Sequence, residues 1–213
     1  MRRKALVLGA GGHCRVLLSM LASIEEHEVL GIIDLGIPRA NEVILGVAVI
    51  GTSHSLEGFQ NRDDLDLFLA IGANSLRESW WQTVQSIGFA TPNLVSPYAL
   101  VDPHARLGTA NVICPNAFIG PDAQLGHNNL VNTAAVIEHE VHIGSHCHLA
   151  PSSTVCGRSV IGDRCLIGVG ARVSDVIQVA SGVTIGAGAT VVRAITEADG
   201  IYIGTPAKRM ESQ

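Results

Sequence analysis

The stretch VNTAAVIEHEVHIGSHCHLAP, Val131 to Pro151, places four histidines and two glutamates in an otherwise apolar run rich in Ala and Val. Only 15% of the chain is charged, so this concentration of titratable groups is the first place to look for chemistry. A neutral imidazole serves as a general base near pH 7, and a neighbouring carboxylate can hold its tautomer and stabilise its charged form. Histidines with a cysteine can instead ligate a metal, and His139, His142, His146 and Cys147 carry enough ligand atoms. The third reading is a set of polar groups facing solvent. Glu138 and Glu140 flank His139 and alternate about the chain, so the residues alone leave open which carboxylate turns toward the imidazole.

The elements that carry this stretch follow from a period of six. From Val95, every sixth residue through Val191 is Val, Ile or Leu, with no slip in register. Four places after these, small residues recur (Ala99, Ala105, Ala117, Ala123, Ala135, Ser153, Ala171, Ala189), and one place after them Gly is frequent. Six fits neither a helix nor a simple strand, but it fits a parallel β-helix with one hexapeptide per flat face. The aliphatic points inward, the small residue sits beside the corner, and a Gly or polar residue takes the turn. Three hexads make a coil, so residues eighteen apart stack. A β-sandwich of short strands would not keep register this long. In this frame Ile137 and Ile143 point inward and His139 points outward, where an adjacent coil or neighbouring subunit can form a groove wall. His142 and His146 read as solvated, and His148 lies half a coil beyond His139. Cys147 and Cys165 are one coil apart at the small-residue position and Cys156 is at a corner; all read as packed thiols.

Residues 1–90 follow a different grammar and are expected to form a separate α/β unit, with 91–213 forming the β-helix. Ala5 to Leu8, Val29 to Ile33 and Leu65 to Ile71 read as buried parallel strands, and Val16 to Ala22 as a helix. Ser75 with Glu78 predicts a capping box that opens a second helix carrying Trp80 and Trp81 in its packing. The turn Gly9-Ala10-Gly11-Gly12-His13 joins a strand to a helix, where bare backbone and N-terminal amides suit an anion. A GxGxxG dinucleotide fingerprint fails, because Cys14 stands where the third Gly is needed. Asp34 ends the second strand, where an acid can accept a bond from a sugar or base; the plainer alternative is a tight turn with a structural Asp.

The net charge of −5, with no basic run, argues against nucleic acid, and no apolar stretch is long enough to span a bilayer. The start, MRRKALVLGAGGH, lacks the pattern of a secretory signal. Five cysteines without a CxxC pair read as reduced thiols of a cytoplasmic protein.

The hexads resemble the left-handed β-helix of the hexapeptide-repeat acyltransferases, and Gly204-Thr205-Pro206-Ala207-Lys208-Arg209-Met210 resembles the tail that closes many of them. The GAGGH turn, Ile71-Gly72-Ala73-Asn74 and NTAAVIEHE are similar to the bacterial family of UDP-4-amino-sugar N-acetyltransferases of the bacillosamine type and sialic acid O-acetyltransferases. The resemblance implies a Rossmann-like α/β domain followed by a left-handed parallel β-helix, assembled as a cytoplasmic homotrimer with shared sites. It implies an acyltransferase that uses acetyl-CoA as co-substrate on a UDP-linked amino-deoxy sugar for surface glycan synthesis, without a metal. His139 would be the base that assists direct attack on the thioester, with Glu140 raising its basicity and Glu138 as second candidate. Gly11, Gly12, His13, Asp34 and Gly72 would line the nucleotide-sugar site, and Asn132 would help to orient substrate. His148, Gly157, Val169 and Lys208 would bind acetyl-CoA. Leu35 stands where the bacillosamine-type enzymes often carry a second acid, so the nucleotide sugar is less fixed than the chemistry, and Leu35 with the loop Gly36 to Asn41 would bear on the choice of acceptor. The alternatives are O-acetylation of a sialic- or legionaminic-type sugar, a metalloenzyme like the γ-type carbonic anhydrases, and a non-enzymatic nucleotide-sugar sensor.

Overall fold

Ala5, Leu6, Val7 and Leu8 are all fully buried, as expected of a central strand in a parallel sheet. They belong to β1 (Arg3–Leu8), which pairs in parallel with β2 (His27–Asp34) and, on its other side, with β5 (Leu65–Leu69). The hairpin β3 (Val43–Ile44) and β4 (Val47–Thr52) extends the sheet, giving the order β3-β4-β2-β1-β5. This hairpin and the 3₁₀ helix Ser53–Phe59 lie between the second and third strands read from the sequence. Helix α1 (Gly12–Ser23) buries Cys14, Leu17, Leu18, Met20 and Leu21, and α2 (Asn74–Ile87) follows β5. Trp80 and Trp81 pack half-buried against the core formed by Leu6, Leu8, Ile33, Leu67 and neighbours.

Two expectations need correction here. Helix α2 begins at Asn74 with Ala73 as its N-cap and no capping side-chain bond, so Ser75 and Glu78 form no capping box. The helix starts a residue earlier because Asn74 is drawn into its first turn, where its side-chain oxygen accepts from Arg77 Nη2 at 2.9 Å. In this computed structural model, which describes residues 2–36, 42–60 and 62–211, the chain divides into compact units Met1–Pro97 and Tyr98–Gln213. The division lies beyond residue 90 because Phe89 is in the first unit's core and the Leu67 N–H donates to the Ala90 carbonyl. The loop Gly36 to Asn41, expected to bear on acceptor choice, lies outside the described residues except for Gly36. Among the described residues, no helix is long and apolar enough to cross a membrane.

The second unit is the left-handed parallel β-helix. Its strands are two residues long and pair eighteen residues apart on three faces. The first face includes Phe118–Ile119 against Val136–Ile137, the second Gln124–Leu125 against His142–Ile143, and the third Leu130–Val131 against His148–Leu149. Ile113, Ile119, Val131, Ile137, Leu149, Val155, Ile167, Val173 and Ile185 fill the prism, with Ala117, Ala123, Ala135, Ser153, Ala171 and Ala189 buried beside the corners. At each corner from Ala110 to Gly188 one residue is left-handed, among them Asp122, Asn128, Glu140, His146 and Arg158. This conformation aims its N–H at a turn carbonyl of the preceding coil: Glu140 to Pro121 at 2.9 Å, His146 to His127 at 2.8 Å, and Arg158 to His139 at 3.1 Å. The hairpin of Ile201–Ile203 with Lys208–Arg209 ends the stack.

One column departs from the small apolar expectation. Asn111 and Asn129 are buried at that position, and each donates from Nδ2 to a carbonyl of the next coil, Gly126 and Gly144, at 3.0 and 2.9 Å. Their oxygens accept the next coil's N–H groups from Asn129 and Cys147. Cys147 and Cys165 continue the donor half of this ladder, with Sγ 3.1 Å from the Gly162 and Ala180 carbonyls. Asn129→Leu would orphan the buried Cys147 N–H and the part-buried Gly144 carbonyl and is expected to cost about 2–4 kcal/mol. Asn129→Cys, which keeps the donor, should cost clearly less; chemical denaturation of both variants compares them.

Candidate functional site

Two clusters of candidate residues form, one in each unit. In the α/β unit, the chain moves from β1 to β2 on one side and later places β5 on the other, so β1 marks a switch point. Ligands of open parallel sheets bind at such a point, beyond the strand C-termini. Gly11, Gly12 and His13 follow β1, Asp34 ends β2, and Gly72 follows β5, so the register of Leu8 with Ile33 and Leu69 gathers all five at that edge. A Cβ built on Gly11, Gly12 or Gly72 meets nothing within 4 Å, and none of the three has positive φ. Neither backbone conformation nor packing within the chain therefore requires glycine there, which leaves room for a ligand against bare backbone. Gly9 differs: its φ is +110°, and a Cβ would lie 2.9 Å from the Ala70 carbonyl, so it is fixed by the close approach of β1 and β5.

The first turn of α1 has no acidic residue and no side-chain cap; the Cys14 N–H donates to the Gly11 carbonyl at 3.1 Å, and the Gly12 and His13 amides at its start suit an anion. Burial, followed by the nearby Arg77 charge, pushes His13 down to about 4. His13 is thus neutral at pH 7 and offers one donor and one acceptor. Arg77 was not singled out by the sequence. It is buried and donates to the Ile71 and Gly72 carbonyls at 3.3 and 3.1 Å, fixing the loop after β5. Asp34 is also buried, and its Oδ1 accepts the Leu35 N–H at 2.7 Å.

In the β-helix, His139 and Glu140 occupy the corner between the first and second faces. His139 Nδ1 lies 2.9 Å from Glu140 Oε2, which decides between the flanking acids: the partner is Glu140. Since an ionised carboxylate only accepts, Nδ1 carries the hydrogen and the Nε2 lone pair is left to take a proton. The same Oε2 accepts from Arg158 Nε at 3.1 Å. Hydrogen bonds from His139 and then Arg158 hold the Glu140 carboxyl below its usual range, so it is ionised at neutral pH. Gly157, one coil beyond His139, lies directly against the imidazole: a Cβ there would come 2.6 Å from Cε1 and Nε2. Glu140, Arg158, Asp122, Gln124, His142 and Val160 line an open depression beside this corner.

The remaining candidates gather elsewhere. Asn132 Nδ2 is 3.2 Å from His148 Nε2. This pair lies toward the corner between the third and first faces, whose later turns include Val169, exposed. Asn132 therefore meets His148 rather than His139. Lys208 lines a cavity of about 310 Å³ with Val191, Arg193, Tyr202 and Pro206 at the C-terminal end of the stack.

The potential metal ligands diverge. His142 is exposed, and Cys147 faces the buried Asn129 column. His146, expected to be solvated, is buried, because its left-handed turn brings Nδ1 to 2.9 Å from Asn128 Nδ2. Among the described residues, no group of three or more His, Cys, Asp or Glu could hold a metal ion. Burial raises the Cys14 and Cys114 thiols to about 11 and 12, so neither is a ready nucleophile.

An uninterrupted hexapeptide prism carrying an outward histidine–carboxylate pair, preceded by an α/β unit with an open glycine-lined edge, defines a hexapeptide-repeat acyltransferase of nucleotide-linked substrates. Residues 4–84 match the PglD N-terminal domain. The chain is 32% identical to a mutant of perosamine N-acetyltransferase from Caulobacter crescentus, solved with CoA and GDP-perosamine; the match covers 98% of this chain and 97% of that one, with a TM-score of 0.92. It is also 32% identical to the acetyltransferase domain of PglB from Neisseria gonorrhoeae in complex with acetyl coenzyme A, over 99% and 100% of the two chains, with a TM-score of 0.91. WeeI from Acinetobacter baumannii shares the fold at 20% identity, with a TM-score of 0.85 over 97% and 99% of the chains. No match was found among curated protein sequences. The chain belongs to the family of hexapeptide-repeat nucleotide-sugar N-acetyltransferases and is an enzyme of that class.

Gly157 gives the site its sharpest steric test. Gly157→Ala is expected to push the imidazole off its seat and to lower kcat about 100-fold, as a displacement near 1 Å can. Thermal melting should stay close to wild type, and steady-state kinetics provides the check.

Proposed function

We propose that the protein transfers the acetyl group of acetyl-CoA to the 4-amino group of a UDP-linked amino-deoxy sugar destined for a bacterial surface glycan. The observation that carries this reading is the shared geometry of His139, Glu140 and Gly157: an ionised carboxylate fixes Nδ1–H, while Nε2 stands over bare backbone at an exposed corner. His139 Nε2 takes the proton from the acceptor nitrogen as that nitrogen attacks the thioester carbonyl. The carbonyl π electrons move to oxygen, where backbone N–H groups at a coil corner stabilise the oxyanion. Collapse of the tetrahedral intermediate expels the CoA thiolate, which takes the proton from the imidazolium. Glu140 stabilises the imidazolium between these steps.

Gly11, Gly12, His13, Asp34 and Gly72 hold the nucleotide sugar, with the first-turn amides of α1 on its diphosphate. His148, Gly157, Val169 and Lys208 hold acetyl-CoA, with Asn132 orienting His148 through their contact. The base and the Asn132–His148 pair occupy different corners of the prism. This division supports a homotrimer in which each site is completed between neighbouring prisms, and short prisms have flat faces to cover. The reaction is placed in the cytoplasm, in keeping with five free cysteines.

A GDP-linked acceptor is the second reading, favoured by the GDP-perosamine bound to the Caulobacter relative. O-acetylation of a sialic-type sugar would use the same base on a hydroxyl. Thiol release from acetyl-CoA, measured with UDP-4-amino-4,6-dideoxy sugar, GDP-perosamine and a sialic-type acceptor in parallel, separates the three. A one-acetyl mass gain on the UDP sugar is expected; a gain on another acceptor alone would reassign the substrate. His139→Ala should lower kcat by ~10²–10⁴-fold while leaving CoA binding and assembly intact, and near-normal turnover would remove it as the base. Gly72→Val should raise the acceptor KM about tenfold or more with little change in the acetyl-CoA KM or melting temperature, since its Cβ space is open.

A further inference from the structure

Arg158 is not among the residues that the hexad frame or the family resemblance assigned, yet it touches both members of the His139–Glu140 pair. Its backbone N–H donates to the His139 carbonyl at 3.1 Å. Its side chain donates from Nε to Glu140 Oε2 at 3.1 Å, the same oxygen that faces His139 Nδ1 at 2.9 Å. Glu140 and Arg158 are both left-handed, with φ of 58° and 60°, at equivalent corners of consecutive coils. That shared conformation projects the two side chains outward from one column, where their charges meet.

We propose that Arg158 is a positioning residue for the acetyl transfer, acting through Glu140: it anchors the carboxylate so that one oxygen is presented to Nδ1 and the imidazole keeps Nε2 toward the reacting nitrogen. This rests on the reading of His139 as the base. Alone, a glutamate on a convex corner has free side-chain torsions and would face His139 only part of the time. A second donor on the same oxygen restricts those torsions. Other charged or titratable groups around this corner are Glu138, Asp122, Asp175 and His142. Glu138 and Asp175 lie on the side of Cys156, while Asp122 and His142 line the depression beside Glu140. None of these has a hydrogen bond in the structure that links it to the His139–Glu140 pair.

The test compares Arg158→Met, Arg158→Lys, Glu140→Gln, the Arg158→Met/Glu140→Gln double variant and His139→Ala. Thiol release from acetyl-CoA is followed across pH with the acceptor that the wild type turns over, and melting is recorded for each protein. Arg158→Met is expected to lower kcat about tenfold, a fraction of the contribution of a general base, with both KM values within about twofold of wild type. Arg158→Lys, which restores the charge but not the planar Nε donor, should recover only part of kcat. In the Glu140→Gln background, Arg158→Met should add nothing further, the signature of action through one residue. Additive loss in the double variant would overturn the proposal, as would a raised KM for either substrate at constant kcat. If His139→Ala keeps near-normal turnover, the base assignment fails instead, a separate outcome from the behaviour of Arg158.

Discussion

Each coil must return its chain to a point directly above the coil before, and the left-handed residue at each corner makes this possible. A left-handed backbone costs an L-residue roughly 1–2 kcal/mol, and here it turns an amide along the prism axis onto the previous turn's carbonyl. The cost is offset by a hydrogen bond that would otherwise be missing where the strands end. Because the pattern repeats at corner after corner, the backbone is held whatever side chain the corner carries. Many corner positions are thereby released from packing, although Asn128 and His146 are buried against each other. A histidine, a glutamate and an arginine can occupy adjacent turns without disturbing the aliphatic interior.

This separation explains why so few charges suffice for the chemistry. At the corner of His139, the carboxylate, the imidazole and the guanidinium come from two consecutive turns and are brought together by register alone. The same register places a bare Gly157 against the imidazole edge. In the α/β unit the logic is different: the edge presents bare backbone, and glycines with ordinary φ leave open space beside it. Arg77, buried among loop carbonyls, stiffens that edge without occupying it.

The prism was legible in the sequence because a period of six writes itself into nearly every inward position from Val95 to Val191. The strands that lead to the glycine-lined edge were legible as buried runs ending in Gly or Asp. The hairpin Val43–Thr52 was not, because its strands are short and half-exposed and carry no clean alternation. His146 was misread as solvated because the pattern shows that it is near a turn, not that the left-handed turn folds it onto Asn128. The Asn111–Asn129 column was missed because asparagine breaks the small apolar rule while obeying a hydrogen-bonding one that only stacking reveals. Arg158 was available in principle, eighteen residues beyond Glu140, but an arginine in a solvent-facing turn has no local mark to set it apart. Glu138 and Glu140 could be told apart only by the torsion of the corner, which composition does not encode.

The coil also fixes the unit in which such a chain can change length. Adding or removing eighteen residues inserts or deletes a whole storey and leaves every column above it vertical. Removing six would keep each aliphatic pointing inward, so the interior would still close, yet every later corner would be carried around to the next edge. Arg158 and Gly157 would then stand over a different edge from His139 and Glu140. The fold tolerates steps of six, whereas the site tolerates only steps of eighteen, so a lineage of such proteins can grow taller without losing its chemistry only by whole turns.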